Sequence, residues 1–143
     1  MQRFRFALEG LERVRRQEVR GEEIRLAERL RAEQTVRSER ERVRGILLGS
    51  DAERPERDVR ALSIWETRRQ WLRTEIVRLE AELSRAKCAT REQRTRVQDA
   101  ERKRQVVERI RERQRLDYVR ETLREEQKEL DEVGSRAGAR KAA

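Results

Sequence analysis

The chain has 143 residues, of which 34% are hydrophobic, 3% aromatic and 47% charged, and this composition cannot fill the core of a layered globular domain. The abundant Arg, Glu, Leu, Ala and Gln favour long, solvated helices, so we expect an all-α protein. The net charge of +9 is spread along the chain with acids and bases interleaved, which is typical of a coiled-coil surface.

The sequence lacks the side chains on which most catalytic and metal sites depend. It has no histidine and one cysteine, Cys88, and it contains no glycine-rich phosphate loop or nucleophile motif. We therefore expect a protein that is not an enzyme and that has no cofactor or metal. Cys88 lies outside the apolar pattern, so we expect an exposed, inert thiol in a reducing cytoplasm. No apolar run is long enough to span a bilayer, and the charged N-terminus does not resemble a signal peptide.

A first helix is predicted from Phe4 to about Leu48. Charged residues fall on or near its apolar face, so this face is weak and needs a stronger partner helix. The apolar residues of this face are Phe4, Leu8, Leu11, Val19, Leu26, Leu30 and Leu47. Among them, Leu8, Val19 and Leu30 are spaced by eleven residues.

A turn is predicted at residues 49–55. Gly49 can end the first helix in the left-handed conformation, Ser50 or Asp51 can cap the next helix, and Pro55 suits a first helical turn. Because the turn is short, we expect an antiparallel two-helix coiled-coil hairpin.

A second helix is predicted from about residue 56 to 133, and it carries the strongest pattern in the chain. Steps of three and four residues from Leu62 to Val107 keep a heptad repeat in which ten of fourteen positions are apolar. The positions are Leu62, Trp65, Arg69, Leu72, Ile76, Leu79, Leu83, Ala86, Thr90, Gln93, Val97, Ala100, Arg104 and Val107.

The second helix is expected to extend beyond the first. A turn centred near Ala52 would place Leu8 opposite about residue 96. The first helix would then cover the second helix only as far as about Ala100. The remainder carries a basic stretch at residues 102–115 and an acidic stretch at residues 121–132. It also carries a second apolar seam in a different phase, formed by Leu116, Val119, Leu123, Leu130 and Val133. This seam indicates an external partner in preference to a second copy of the chain. Residues 134–143 are expected to form a disordered basic tail.

The two tryptophans indicate different roles. Trp65 occupies a seam position and is expected to be packed. Trp71 lies on the outer side, where a large aromatic side chain is typical of a binding site. With Val43 and Ile46 across the hairpin it would form an apolar docking patch near the turn. The alternative is that Trp71 covers arginine side chains of its own helix.

Both ends of the chain carry motifs that resemble the FliJ family of the flagellar type III export apparatus. They are Phe4-x-Phe6-x-Leu8-Glu9-x-Leu11, the following Gln17-Glu18-Val19, and the closing Glu129-Leu130-Asp131-Glu132-Val133. The resemblance implies a non-enzymatic stalk and chaperone-escort protein. Such a protein inserts into the ring of the hexameric flagellar export ATPase, contacts the cytoplasmic domain of the membrane export gate, and cycles export chaperones. It would be a cytoplasmic monomer when free and would associate peripherally with the inner face of the cell membrane.

The resemblance also assigns surfaces. The ring would receive residues 4–19 and 102–133, including Phe4, Leu8, Arg109, Arg113, Leu116, Val119 and Leu123. The gate would contact Val43, Ile46 and Trp71, together with the charged positions Glu39, Glu75, Arg78 and Glu82. Those charged residues depart from the apolar or aromatic character of the family.

Three alternatives remain open from the sequence. The first is the equivalent stalk of a virulence-type secretion system, which shares the architecture. The second is a coiled coil that binds nucleic acid through the 102–115 cluster, although we expect no specific nucleic acid because the charge is interleaved. The third is a structural homodimer.

Overall fold

A computed structural model describes residues 4–142. Over this range the protein consists of helix α1 (Glu9–Gly49), a 3₁₀ helix (Ser50–Glu53) and helix α2 (Val59–Ala142), with no strand. The predicted all-α class is therefore confirmed. The two helices contribute to two compact units, which we name the turn unit (residues 19–99) and the terminal unit (residues 4–18 with 100–142).

The turn differs from the sequence prediction. Gly49 keeps right-handed angles (φ −65°, ψ −25°), and no described glycine has a positive φ. A left-handed end is unnecessary because α1 tightens directly into the 3₁₀ helix, where the Ser50 hydroxyl donates to the Leu47 carbonyl at 2.6 Å. The cap of α2 is Asp58, whose carboxylate accepts from the Arg60 amide at 2.9 Å. Pro55 precedes α2, so its predicted first-turn position was wrong.

The heptad prediction for α2 is confirmed within the turn unit. Every predicted seam position there is buried or half-buried, from Leu62 to Val97. The best-packed part is a cluster of Val43, Leu72 and Leu79, each 3% exposed, against which half-buried apolar side chains pack: Val36, Ile46, Leu47 and Ile76.

The seam of α1 follows the same heptad and not the predicted eleven-residue spacing. Leu30 remains 40% exposed, and in the terminal unit Leu8 and Leu11 are 37% and 38% exposed. Side chains that face a heptad seam must repeat with the same period to stay in contact, so the partner helix determines the face that α1 buries. In the turn unit the buried and half-buried heptad positions of α1 are Val19, Glu22, Leu26, Glu33, Val36, Arg40, Val43 and Leu47, and Ser50 of the 3₁₀ helix continues the pattern.

The antiparallel register is shifted from the predicted one. In the turn unit, Gln93 bonds to Glu22, and in the terminal unit Arg111 bonds to Glu12. The prediction that places Leu8 opposite residue 96 was therefore wrong. The shift arises because the 3₁₀ helix prolongs α1 while α2 begins only at Val59, which moves the middle of the connection along the chain.

The last residues of α2 are helical to Ala142, whereas the sequence predicted a disordered tail from Gly134; Ala143 lies outside the described residues. Ala and Arg are good helix formers. The side chain of Arg136 lies 3.8 Å from that of Glu132 one turn earlier, and Arg140 and Lys141 complement the negative end of the helix dipole.

Replacement of Leu79 by alanine should lower the free energy of unfolding by about 2–4 kcal/mol, because it leaves a cavity in the Val43–Leu72 cluster. Val77→Ala, at a position 66% exposed on the same helix, should change it by no more than about 0.5 kcal/mol. Urea unfolding followed by circular dichroism measures both. Equal effects at the two positions would contradict the assigned seam.

Candidate interaction surfaces

An uncovered apolar stripe runs along the distal part of α2 in the terminal unit. Leu116 and Val119 are 48% and 45% exposed, and the exposure rises to 59–67% at Leu123, Leu130 and Val133. With Glu126 these residues repeat at alternating steps of three and four, which is the spacing of a coiled-coil seam. We call Leu116, Val119, Leu123, Glu126, Leu130 and Val133 the distal stripe.

The distal stripe does not continue the seam that packs against α1. In the terminal unit that seam passes through Val107, 5% exposed, to Tyr118, whose ring lies 5.6 Å from the ring of Phe4. On a heptad wheel the distal stripe is displaced from this seam by about 150°, so the two faces point almost oppositely. A longer first helix in the same register would not cover the stripe, which therefore suits a different partner.

The N-terminal segment buries one carboxylate against α2 in the terminal unit. Glu12 is 4% exposed and accepts hydrogen bonds from Arg111 at 2.9 and 3.0 Å and from Arg16 at 2.8 Å. Among the predicted ring contacts, Phe4 is half-buried on Tyr118 and Leu8 is partly exposed. The sequence did not single out this carboxylate, because one charged residue on an amphipathic helix gives no sign of burial.

The basic stretch 102–115 is partly neutralised within the terminal unit. Arg104 bonds to Glu101 and Glu108, and its hydrogen bond with Glu101 raises the pKa of Arg104 and lowers that of Glu101. The predicted ring contacts Arg109 and Arg113 are both exposed. The stretch thus offers fewer available cations than its composition indicates.

The predicted docking patch near the turn is only partly present. Val43 is 3% exposed within the core cluster, so its assignment to a surface patch was wrong; it occupies the heptad seam of α1. Ile46 is half-buried against the same cluster. Trp71 is 61% exposed and lines a shallow groove of about 470 Å³ with Ser63, Ile64, Thr67 and Arg68.

Trp65 is packed, as predicted, and it connects the turn to α2. Its Nε1 donates to the Ser50 carbonyl at 2.9 Å. The guanidinium groups of Arg69 and Arg54 lie 4.7 and 5.7 Å from its ring centroid, within the range of cation–π attraction. Arg69 also bonds to the side chains of Ser50 and Asp51. The groups around Trp65 therefore fix the turn.

Family comparison places this two-helix architecture in a known context. The profile described as "Flagellar FliJ protein" matches residues 4–143. The chain belongs to the FliJ family. Comparisons with curated proteins and with solved structures give no match. As a FliJ-family chain it is a component of the flagellar export apparatus, and the family is a non-catalytic component of that machinery.

The charged positions that the FliJ resemblance assigns to the gate form ion pairs with their neighbours. Arg78 bonds to both Glu75 and Glu82, and Glu39 bonds to Arg42. These hydrogen bonds lower the pKa values of Glu39 and Glu75. On α2, Trp71, Glu75, Arg78 and Glu82 share one flank by helical spacing, so a gate-binding surface here would combine one aromatic side chain with paired charges.

A polar layer interrupts the seam of the turn unit in this FliJ-family chain. Gln93 is 4% exposed, and its amide donates to the Glu22 carbonyl at 3.1 Å and to the Glu22 carboxylate. Thr90 is 2% exposed and donates to the Ala86 carbonyl at 3.0 Å. The Gln93 bonds favour one register over its alternatives because any shift leaves this amide unpaired, whereas the Thr90 hydroxyl is paired within α2 in every register.

The remaining features concern the cysteine, metal sites and membrane spans. Cys88 is an exposed free thiol, as predicted. Residues 4–142 contain no cluster of His, Cys, Asp and Glu able to hold a metal ion. No helix in the described part of the chain has the length and apolar character needed to cross a membrane.

Glu12→Ala should destabilise the terminal unit by about 1–2 kcal/mol, because it removes the carboxylate that accepts from Arg111 and Arg16. Glu9→Ala is the matched control, since the Glu9 side chain is 71% exposed and 3.9 Å from Arg13. Hydrogen exchange of amides in residues 100–118 measures the effect. Similar exchange rates in the two variants would show that the buried carboxylate does not hold the segment to α2.

Proposed function

We propose that this chain is the stalk of the flagellar export ATPase and that its terminal unit enters the ATPase ring. Membership of the FliJ family supports a place in the export apparatus. The observation that carries the finer proposal is the distal stripe: α2 continues beyond Tyr118, where Phe4 packs, and presents exposed apolar side chains to a partner. A stalk that works inside a ring needs such a projecting, stiff surface.

The composition of the terminal unit suits this task. A helix exposed on nearly all sides keeps its form through local ion pairs and good helix formers, while its apolar side chains remain available. Leu116, Val119 and Leu123 lie on the stripe, and Arg109 and Arg113 lie one to two turns before it. The ring contact would then combine apolar burial with positive charge.

We further propose that the groove at Trp71 contacts the cytoplasmic domain of the export gate and that the chain escorts export chaperones. Trp71 supports the gate contact because a large aromatic side chain that is 61% exposed beside Ile64 forms a hot spot when a partner covers it. Ile46 belongs to the hydrophobic core and can contribute only at its edge. The chain would act on the cytoplasmic side, associated with the membrane through the gate.

The ring contact is tested with the purified hexameric export ATPase. The full chain should bind the hexamer and raise its ATPase rate. Leu116→Asp should weaken binding by about tenfold or more, since a charge would replace apolar burial, whereas Val77→Asp on the same helix should leave binding unchanged. If neither the full chain nor a chain ending after Tyr118 binds or stimulates the ATPase, the stalk proposal fails.

The gate contact is tested with the isolated cytoplasmic domain of the gate. Trp71→Ala should reduce binding by about tenfold or more, as expected for loss of an aromatic hot spot. The control is Val77→Ala, an exposed residue on another face of α2. Calorimetric titration measures both variants. Binding that is unchanged in Trp71→Ala would remove this groove as the gate surface.

A further inference from the structure

The distal stripe has the residue pattern of half a coiled coil, with one irregular position. In heptad notation Leu116, Leu123 and Leu130 occupy a positions, and Val119 and Val133 occupy d positions. The remaining d position, between Leu123 and Leu130, holds Glu126. A carboxylate at the centre of an apolar interface is costly unless a basic group of the partner pairs with it.

The positions that flank the stripe carry more basic than acidic side chains. Between Arg113 and Arg136 there are eight e and g positions. Four of them are arginine, and one, Glu129, is acidic. The e positions are Arg113, Arg120, Gln127 and Gly134, and the g positions are Arg115, Thr122, Glu129 and Arg136. Since e and g residues pair across a coiled coil and set the choice of partner, a helix with acidic flanks fits this surface.

The same pattern opposes pairing with a second copy. In a parallel, in-register pair Glu126 would face Glu126, and Arg115 would face Arg120 of the other copy, because each g residue meets the e residue of the next heptad. In an antiparallel pair with aligned seams, e faces e and g faces g, so Arg115 meets Arg136. Glu126 then enters the apolar seam opposite Leu123 without a basic partner. Like charges across an interface are unfavourable, and a like pair at a core position is more so.

We propose that the distal stripe binds one amphipathic helix of a different protein. That helix has an apolar seam, acidic residues on both flanks, and a Lys or Arg that faces Glu126. The proposal does not rest on insertion into the ATPase ring, because a helix with this pattern in any other protein would satisfy it. Glu126 then acts as a selectivity residue, since it penalises both self-association and helices without a basic residue at the facing position.

Synthetic peptides of about four heptads test the charge rule on the full chain. The first peptide has leucine at a and d, glutamate at e and g, and one lysine in the seam at the position facing Glu126. A second peptide reverses these charges, and a third has the composition of the first in scrambled order. Fluorescence anisotropy should show the first binding at least about tenfold more tightly than either of the others.

The scrambled peptide separates seam pairing from general attraction to a chain of charge +9. Equal binding of the first and third peptides would overturn the proposal, as would a preference for the basic-flanked peptide. Leu123→Asp should abolish binding of the first peptide, and Val77→Asp, at an exposed valine outside the stripe, should not. Equal losses in the two variants would also contradict the proposal.

Charge reversal at the core position tests the role of Glu126 itself. Glu126→Lys should weaken binding of the first peptide by about tenfold. Changing the single facing lysine of that peptide to glutamate should restore the affinity. Light scattering should find the unmodified chain monomeric, whereas the double variant Arg115→Glu, Glu126→Leu should dimerise. An unmodified chain that dimerises, and that becomes monomeric with Leu123→Asp, would show that the stripe's partner is a second copy.

Discussion

The pairing of two helices of very unequal length is the constraint from which the other properties of this chain follow. Helix α1 has 41 residues and α2 has 84, and they run antiparallel. A short helix can satisfy the seam of a longer one only along its own length. The surplus of α2 then has to be stable without an internal partner, and its apolar residues become a surface for another molecule.

The seam that holds α1 to α2 is narrow and partly polar, which gives its polar layers a specific role. In the turn unit Gln93 meets Glu22, and in the terminal unit Arg111 meets Glu12. These contacts stabilise the pair less than apolar packing does, but they fix the register because a shifted pairing would leave buried polar groups unsatisfied. Register decides where α1 ends against α2, and therefore which residues of α2 are exposed.

The sequence predicted the fold class and the seam of α2 because a heptad repeat sustained over many turns is a strong periodic signal. For α1 it correctly placed Val19, Leu26 and Leu47 in the seam. It also included Leu30, which is exposed, and omitted Val43, which is buried, because charged residues share this seam and weaken its pattern. Val43 was assigned to a docking patch because the predicted turn brought it close to Trp71 and because the family resemblance assigned it to the gate. The face of a weakly patterned helix is determined by its partner, and its own residues carry too little information to identify it.

The register of the two helices also could not be predicted from the sequence, because it depends on local geometry at the turn. The bond from Ser50 to Leu47, the cap at Asp58 and the position of Trp65 over the end of α1 together move the turn from its predicted centre. Several residue types could serve as cap or stop at this turn, so composition alone does not choose among them. The five apolar residues of the distal stripe were predicted as a seam in a new phase, because they keep the heptad spacing on both sides of Glu126.

One chain folds back on itself in the observed register, and the distance between its two helices reports this directly. Spin labels at Cys88 and at an Arg31→Cys substitution test it, since on the heptad wheel both residues lie on the outer sides of the paired helices, nearly level with each other. Double electron–electron resonance should give a distance of about 25 Å that persists after dilution with unlabelled protein, given a helix spacing of about 10 Å and two outward labels. A distance near the ~85 Å of one uninterrupted helix, or a short distance that disappears on dilution, would contradict the account.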